Sequence, residues 1–255
     1  MCDDIIVELA NVSLTYHEPA RETKAIEGLS LTVHRGEFLS IVGPSGCGKT
    51  SVLSLIAGLF EPSEGSVRVL GLPPKEARKK VGYMLQRDAL LEWRNIEKNA
   101  LLGLEVRREL TSENRKKTIG MLEKYGLGDF RGHYPNALSG GMRQKAALVR
   151  TLAFEPELLL LDEPFSALDY QTRILLEDEV RGIIKQGGLT AILVTHDIAE
   201  AICMSDRVAV FSGRPAAVRK EFEIEMDGTP FERRSDAGFA PLFDAIWKEL
   251  KADER

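Results

Sequence analysis

The feature that most constrains this chain is a glycine-rich segment, GPSGCGKT, at residues 43–50. It follows FLSIVG, a short and wholly apolar run that is typical of a strand buried inside a parallel sheet. The next run, TSVLSLIAGL, has its apolar residues at helical spacing. A strand, a glycine-rich loop and a helix in this order predict a P-loop, in which successive backbone N–H groups point at phosphate oxygens.

Each position of this loop has a role that follows from its chemistry. Glycines let the backbone curl, and Lys49 supplies a mobile positive charge for the β and γ phosphates of a nucleotide. The Thr50 hydroxyl can ligate Mg²⁺, and Ser51 is placed to support the α phosphate. A glycine-rich turn without a ligand is the alternative, but it leaves the flanking strand and helix unexplained. The predicted nucleotide-binding residues of the segment are Gly43, Pro44, Ser45, Gly46, Cys47, Gly48, Lys49, Thr50 and Ser51.

Two carboxylates end a second apolar strand. The segment LLLLDEP, residues 158–164, closes on Asp162 and Glu163. We expect Asp162 to hold Mg²⁺ through its water shell, and Glu163 to orient a water for in-line attack on the γ phosphate. An ordinary polar loop at a strand end is the alternative, and the P-loop elsewhere in the chain favours the catalytic interpretation.

A further helix start carries a serine and two glycines, in LSGGMRQKAALVR at residues 138–150. Ser139 is a good N-cap, and Gly140 and Gly141 leave the first helical N–H groups uncovered. Such a helix start attracts anions. Taken alone, however, the pattern is that of a capped structural helix.

The order of elements predicts an α/β protein with a helical insertion. Strand segments alternate with helical segments, which is typical of a mainly parallel sheet, and the strand KKVGYMLQ is predicted to end at Gln86. From about residue 87 to residue 154, β-branched residues become rare and charged helical patterns dominate. From about residue 223, turn signals precede a short helix, APLFDAIWKEL. The 255 residues, 44% of them hydrophobic, suit one large or two small domains.

Charge and cysteine content exclude several classes of protein. The net charge of −5 provides no basic footprint for nucleic acid, so no nucleic-acid partner is predicted. Three widely spaced cysteines, Cys2, Cys47 and Cys203, indicate neither a disulfide framework nor a zinc site. The acidic N-terminal segment is not a secretory signal, and no run approaches the roughly eighteen apolar residues of a membrane span. Any membrane role would therefore need other chains.

Five motifs occur in one order: the P-loop, LSGGMRQ, LLLLDEP, SALD and VTHD. This ordered set resembles the ATP-binding subunit of an ATP-binding-cassette (ABC) transporter. The resemblance implies a P-loop NTPase fold of the ABC nucleotide-binding-domain type, with a mainly parallel sheet core, an antiparallel β part and an inserted helical subdomain. It implies an ABC ATPase domain over residues 1–222, with the helical subdomain at about 87–155, and a short tail over residues 223–255.

The resemblance also implies how the motifs work together with ATP and Mg²⁺. Two copies would meet head to tail, so that the LSGGMRQ signature of one closes on the nucleotide held by the P-loop of the other. In that arrangement Glu163 would activate water, His196 would contact the γ phosphate and steady Glu163, and Asp169 would signal between the two sites. Tyr16 matches the aromatic residue that stacks on adenine, and Gln86 the glutamine that contacts Mg²⁺ and the attacking water. The signature residues that would act on the partner's nucleotide are Ser139, Gly140, Gly141 and Gln144.

Within the family, LLEWRNIEKNALLGLE and SALDYQTR resemble the importers for nitrate, sulfonates, taurine and related small solutes. This subgroup implies separate integral-membrane permease subunits, a solute-binding protein, and a peripheral location at the cytoplasmic face of the cell's inner membrane. Leu90, Leu91 and Trp93 would line the groove for a permease helix, although Glu92 stands where this group has proline.

Other classes of P-loop protein fit the sequence less well. A cytosolic ABC ATPase of DNA repair or of ribosomes is the alternative, but such proteins typically fuse two cassettes or carry a long coiled coil, which this sequence lacks. A P-loop kinase would leave the signature and His196 without a role. A non-catalytic regulatory module would need neither Glu163 nor His196.

Overall fold

The strands of the protein form two sheets in the computed structural model, which describes residues 4–18 and 21–251. The smaller sheet is antiparallel and contains β1 (Ile5–Glu18), β2 (Arg21–His34) and β4 (Glu64–Val69), in the order β2-β1-β4. The larger sheet has six strands, which are β3 (Phe38–Val42), β5 (Val81–Met84), β6 (Leu158–Asp162), β7 (Thr190–Thr195), β8 (Arg207–Phe211) and β9 (Val218–Glu223).

The larger sheet is parallel except at one edge, as the alternation of strands and helices predicts. Its order is β5-β6-β7-β3-β8-β9, and only β9 runs antiparallel to its neighbour. The helices of eight or more residues are α1 (Lys49–Ile56), α5 (Ser112–Lys124), α6 (Gly140–Leu152), α7 (Tyr170–Gln186) and α10 (Phe239–Lys251). The shorter ones are α2 (Pro74–Ala77), α3 (Ile96–Ala100), α4 (Leu102–Arg107), α8 (Ile198–Met204) and α9 (Pro230–Arg233).

The apolar strands are continuous runs because both faces of the larger sheet are covered. Along β6, Leu158 and Leu160 pack into the core shared with the antiparallel sheet and α1. Leu159 and Leu161 pack on the opposite face, against α6 and α7. Successive side chains of a strand point to opposite faces, so a strand covered on both sides needs an apolar residue at every position.

The helical insertion lies between β5 and β6, and it contains α3, α4, α5 and α6. Thr111 and Ser139 cap α5 and α6, each accepting a hydrogen bond from a backbone N–H of the first turn. The fold class is confirmed in its parallel core, its antiparallel part and its inserted helices. The boundaries of the subdomain stay a prediction.

Two local differences from the sequence prediction have physical reasons. Strand β5 ends at Met84, two residues before Gln86. Gln86 therefore lies in a loop, where the alternation of side chains along a strand does not fix its direction. Strand β9 has no strand pattern in the sequence, because four of its six residues, VRKEFE, are charged. Three of the six are exposed, which is typical of an edge strand.

The C-terminal helix was predicted and is confirmed as α10, which packs on the core beside β8. Its Ile246 is fully buried in a cluster that includes Val208 of β8 and Ile202 of α8. Arg233 of α9 is also buried, and it donates hydrogen bonds to the carbonyl oxygens of Cys203 (3.3 Å) and Ser205 (2.8 Å). These carbonyls end α8, where helix geometry leaves acceptors unpaired and favours positive charge.

Two buried carboxylates lie where the C-terminal residues meet α7 and α8. Glu177 is fully buried, and its Oε2 is 2.6 Å from Nη2 of Arg234. Glu200 is 3% exposed, and its Oε2 accepts a hydrogen bond from the Thr195 hydroxyl (3.0 Å). Burial, and then repulsion by Glu177, raises the pKa of Glu200 to about 8.

Cys47 and Cys203 are buried free thiols, whereas Cys2 lies outside the described residues. Within the described part of the chain, no helix is both long enough and apolar enough to cross a membrane.

Replacement of Ile246 by alanine tests whether the C-terminal helix is part of the main cooperative unit. We expect Ile246→Ala to lower the free energy of unfolding by about 3 kcal/mol, because it leaves a cavity in a packed cluster. Trp247→Ala is the control, since that side chain is 46% exposed on the same helix. Urea unfolding followed by circular dichroism measures both. An unchanged main transition in Ile246→Ala would mean that α10 unfolds separately.

The buried proton of Glu200 predicts a dependence of stability on pH. Its pKa is about 8 in the folded protein against an ordinary value of 4.5, so the native state holds a proton that the unfolded state releases. The contribution of Glu200 to the free energy of unfolding is therefore fully present below pH 4.5, and it is lost as the pH rises to about 8. Glu200→Gln should therefore gain stability relative to wild type progressively as the pH rises across that window, because glutamine has no proton to lose. Urea unfolding of both proteins at several pH values measures the gain, and a constant difference would contradict the assignment.

Candidate active site

A cavity of about 520 Å³ lies above the P-loop, between the antiparallel sheet and the carboxyl ends of β3 and β6. Residues from β1, β2, the P-loop with the start of α1, the end of β6 and the turn after β8 line it, and three of these residues were not indicated by the sequence. They are Tyr16, Thr23, Ala25, Ser45, Gly46, Gly48, Lys49, Thr50, Ser51, Glu163 and Arg214.

At two positions of the P-loop the backbone has a conformation that favours glycine. Gly46 and Gly48 have φ of +73° and +124°, both in the region that side chains disfavour. At Gly48 a Cβ would also lie 2.8 Å from the carbonyl oxygen of Ala25. The N–H of Cys47 donates to the Pro44 carbonyl (3.2 Å), which closes the loop on itself. Cys47 and Gly43 are buried beneath the loop, where a Cβ on Gly43 would meet the Cys47 sulfur at 3.0 Å.

Lys49 opens α1 and points back over the loop. Its Nζ donates hydrogen bonds to the carbonyl oxygens of Gly43 (2.7 Å) and Pro44 (2.9 Å). The first N–H groups of α1 follow directly, and a helix leaves such groups without intrahelical acceptors. A cationic side chain and a helix start therefore face one cavity, which is the arrangement that binds phosphate.

Tyr16 of β1 forms one side of the cavity. Its hydroxyl is 3.0 Å from the Ser51 hydroxyl, and its ring packs edge-on against Phe60 with centroids 5.7 Å apart. The ring is half-buried and held from two directions. It lines the cavity that the P-loop borders, as stacking on adenine requires, and that role stays a prediction.

Asp162 lies at the end of β6, facing the start of α1. It is buried, and its two carboxylate oxygens accept from the hydroxyls of Thr50 (3.2 Å) and Tyr83 (3.4 Å). Burial raises the pKa of Asp162, and the two hydroxyls only partly offset that rise. Burial and the neighbouring Asp162 raise the pKa of Tyr83 to about 12, so Tyr83 remains a hydrogen-bond donor.

Glu163 occupies a strained position at the strand end. Its φ of +45° is uncommon for a residue with a side chain, and such conformations persist where the surroundings hold them. The Glu163 N–H donates to the Val194 carbonyl (2.8 Å), and the Ser166 hydroxyl donates to the Glu163 carbonyl (3.0 Å). The backbone is thus fixed on both sides of the carboxylate.

Gln86 and His196 meet the same oxygen of Glu163. Nε2 of Gln86 lies 3.0 Å and Nδ1 of His196 lies 3.1 Å from Oε2 of Glu163. The three residues follow β5, β7 and β6, which are neighbouring parallel strands with carboxyl ends at one edge of the sheet. Three motifs that are far apart in the sequence therefore converge on one carboxylate beside the P-loop.

The serine and glycines at the start of α6 lie away from this cavity. Ser139 caps the helix by accepting from the Met142 N–H (3.4 Å). Gly140 borders a second depression of about 480 Å³, which it shares with Gln86. Gln144 borders it too, but its side chain is only 4% exposed, and its predicted contact with a nucleotide on another copy stays a prediction.

Asp169 caps α7 beside that helix start. Its carboxylate accepts from the Thr172 N–H (3.1 Å), and hydrogen bonds from Thr172 lower the pKa of Asp169. A Cβ on Gly141 would lie 2.6 Å from the Thr172 methyl carbon, so the first turns of α6 and α7 are in close contact. Asp169 and the signature glycines thus form one surface.

The segment after Gln86 presents Trp93 to solvent. The fully buried Asn99 shapes the segment: its Nδ2 donates to the carbonyls of Leu91 (3.1 Å) and Arg94 (2.8 Å), and its Oδ1 accepts from the Leu91 N–H (2.7 Å). Trp93, which lies between Leu91 and Arg94, is 75% exposed. Leu90 is mostly buried against the core with α6, but it also lines the depression that Gln86 and Gly140 border, so its predicted place in a groove for a permease helix stays a prediction.

Four residues of the site have no signal in the sequence: Thr23 and Ala25 of β2, which line the cavity, together with Tyr83 and Arg214. Tyr83 belongs to the β5 segment, where a single aromatic residue in a strand carries no functional signal. Arg214 lies in the turn after β8, far from every motif in the sequence, and it reaches the cavity only because β8 lies beside β3.

Known proteins resemble this chain along nearly its whole length. The ABC transporter family model matches residues 26–166. An uncharacterized ABC transporter ATP-binding protein of Bacillus subtilis, YtlC, is 48% identical over 248 residues, which cover 96% of this chain and 95% of the relative. The aliphatic sulfonates import ATP-binding protein SsuB of Bacillus licheniformis is 36% identical over 234 residues, covering 91% and 89%.

A solved structure agrees with the fold. The ATP-binding cassette MJ0796, described as a dimer in a post-hydrolysis state bound to ADP and Pi, superposes with a TM-score of 0.77. It is 30% identical and covers 87% of this chain and 100% of its own. The chain therefore belongs to the ABC transporter family, as an ATP-binding subunit whose ATPase activity is coupled to transport.

Proposed function

We propose that this protein is the ATPase of an importer, and that two copies drive uptake of a small solute such as nitrate, a sulfonate or taurine through separate permease chains. The observation that carries the ATPase mechanism is the convergence of Gln86 and His196 on Glu163, which itself lines the P-loop cavity. The importer assignment is supported by the 36% sequence identity to the sulfonate import protein SsuB.

Glu163 is suited to act on a water molecule. Its Oε2 is held by Gln86 and His196, which leaves Oε1 as the oxygen that accepts a hydrogen bond from water. A carboxylate so placed orients the water in line with the γ phosphate and polarises its O–H bond. Lys49 and the N–H groups of the P-loop stabilise the charge that develops on the phosphate oxygens.

The residues around Asp162 fit Mg²⁺. The Thr50 hydroxyl and the Asp162 carboxylate, 3.2 Å apart, are oxygen donors of the kind that Mg²⁺ prefers. Within residues 4–18 and 21–251, no group of three His, Cys, Asp or Glu side chains could hold a metal ion by itself. In this proposal Thr50, Asp162 through water, Gln86 and the nucleotide phosphates would hold Mg²⁺ jointly. Bound Mg²⁺ supplies neutralisation of phosphate charge.

A second copy of the chain completes the site in this proposal. Ser139, Gly140 and Gly141 stand outside the lining of the P-loop cavity, yet they form a helix start suited to anions. They would bind the γ phosphate held by Lys49 of the other copy. ATP then adds contacts only in the closed dimer and shifts the population toward it, and hydrolysis removes those contacts. Asp169, next to the signature glycines, would connect the two sites.

The surface around Trp93 is the proposed contact with the permease. Trp93 is 75% exposed and stands on a segment whose conformation the buried Asn99 sets, and large exposed aromatic residues mark protein contacts. Gln86 begins the same segment and donates a hydrogen bond to Glu163. A movement of the permease would therefore change the position of Gln86 relative to the Glu163 carboxylate. We further propose a peripheral location at the cytoplasmic face of the membrane, an indirect link to a solute-binding protein, and no nucleic-acid partner.

Glu163→Gln tests the water-activating role and the dimer together. The amide keeps the shape of the side chain but cannot accept a proton, so we expect ATP turnover to fall by at least about a hundredfold while ATP binding persists. An ATP-dependent dimer should accumulate, and light scattering measures it.

The double variant Glu163→Gln, Ser139→Arg serves as its matched control. The added arginine fills the signature corner, so ATP should still bind to the monomer but the dimer should disappear. Hydrolysis by Glu163→Gln at the wild-type rate would remove Glu163 from the mechanism. A dimer that survives Ser139→Arg would contradict the shared site.

Trp93→Ala tests the permease contact. We expect the purified variant to hydrolyse ATP like wild type, because Trp93 lies outside the cavity, but to lose co-purification with integral-membrane proteins from native membranes. Trp247→Ala removes another exposed tryptophan, on α10, and should keep that association. Co-purification of a ribosome or a DNA complex with the wild-type protein, in place of a membrane protein, would contradict the importer.

A further inference from the structure

The turn after β8, residues 212–217, forms a fixed wall of the nucleotide cavity. Its Ala216 is fully buried, and the N–H of Ala216 donates to the Ala25 carbonyl of β2 (2.9 Å). In return the Glu27 N–H donates to the Ala216 carbonyl (3.2 Å). The Ala217 N–H donates to the Ser212 hydroxyl (3.0 Å), which ties the two ends of the turn together. The turn is therefore anchored to the antiparallel sheet.

Arg214 reaches from this wall to the apex of the P-loop. Its Nε and Nη2 donate to the carbonyl oxygen of Gly46, at 3.0 and 2.7 Å. Two donors of one rigid guanidinium on one acceptor restrict the position of both groups, and a charged donor makes these bonds stronger than neutral ones.

This contact immobilises one peptide unit from both ends. The carbonyl of the Gly46–Cys47 peptide accepts from Arg214, and the N–H of the same peptide donates to the Pro44 carbonyl (3.2 Å). A peptide unit is planar, so holding its oxygen and its hydrogen fixes its orientation. The adjoining peptides carry the N–H groups of Gly46 and Gly48, which both line the cavity. Glycine permits many other backbone conformations at these positions, so a contact from outside the loop helps to hold the conformation that faces the cavity.

The charge of Arg214 also acts on the cavity itself. Arg214 and Lys49 line the same space, and both are cations beside the loop that faces phosphate. Lys49 is buried and donates to the carbonyls of Gly43 and Pro44, whereas Arg214 is exposed and donates to that of Gly46. The two cations therefore line one cavity while they are held on different carbonyls of the P-loop.

We propose that Arg214 is a positioning residue for the nucleotide, which holds the P-loop apex with its N–H groups toward the phosphates and adds positive charge at the outer edge of the cavity. The role does not depend on the solute, on the permease or on Glu163. It concerns the affinity for the diphosphate part of ADP and ATP.

Arg214→Met, compared with Arg214→Lys, tests this role in the full chain. Methionine keeps an unbranched apolar stem without donor or charge, so we expect the Kd for Mg·ADP, measured by titration calorimetry, to rise about tenfold. The KM for ATP should rise by a similar factor, and kcat should change much less. Lysine keeps the charge and one donor nitrogen, without the planar fork of arginine, and should recover part of the affinity. Arg68→Met is the matched control, because Arg68 is an exposed arginine that likewise donates to a glycine carbonyl, that of Gly71 (3.3 Å).

Several results would overturn the proposal. One is binding of ADP by Arg214→Met with wild-type affinity, and another is an equal loss in Arg68→Met. A lysine variant no better than methionine would exclude charge-assisted donation to Gly46. A fall in kcat as large as the rise in KM would show general damage to the site. Loss of turnover in Glu163→Gln leaves these outcomes unaffected, so the two proposals fail separately.

Discussion

Parallel pairing of four neighbouring strands is the constraint on which the site depends. Strands β5, β6, β7 and β3 run in one direction, and their register aligns Asp162 with Val194 and Val42 with Thr195. Their carboxyl ends therefore meet at one edge, where α/β sheets generally bind ligands. The P-loop, Glu163, His196 and Gln86 each begin at one of these ends, so hydrogen bonding between strands, far from the chemistry, sets the distances within the site.

The charges at that edge are arranged so that a polyanion can enter. Lys49 and Arg214 are held on backbone carbonyls of the loop, which keeps positive charge beside the cavity. Asp162 is buried beneath, and burial raises the pKa of its carboxyl, so a cation shared with phosphate would relieve an unfavourable charge. The strained backbone of Glu163 is tolerated because Val194 and Ser166 hold it. The same edge of the sheet thus positions the charges that bind the nucleotide and holds the strained backbone of Glu163.

The helical insertion gives the chain surfaces that its own nucleotide cavity does not use. The start of α6 and the cap of α7 form one surface through the contact of Gly141 with Thr172, and Gln86 borders the depression beside it. Trp93 stands on the same segment as Gln86, held by Asn99. In the proposed function, a displacement at the exposed tryptophan would reach the carboxylate of Glu163 through the backbone between Trp93 and Gln86 and the hydrogen bond of Gln86 to Glu163. This connection is the physical basis of the proposed coupling between a permease and ATP hydrolysis.

The sequence by itself determined the local features, because these depend on neighbours along the chain. Apolar runs predict β3, β6 and β7, periodicity predicts α7 and α10, and the glycines of residues 43–50 predict the loop. Only the tertiary structure decided which distant residues meet: it brought Gln86 and His196 to one oxygen of Glu163, buried Leu90 while exposing Trp93, and carried Arg214 to Gly46. The order of strands in the sheet makes these contacts, and no local pattern encodes that order.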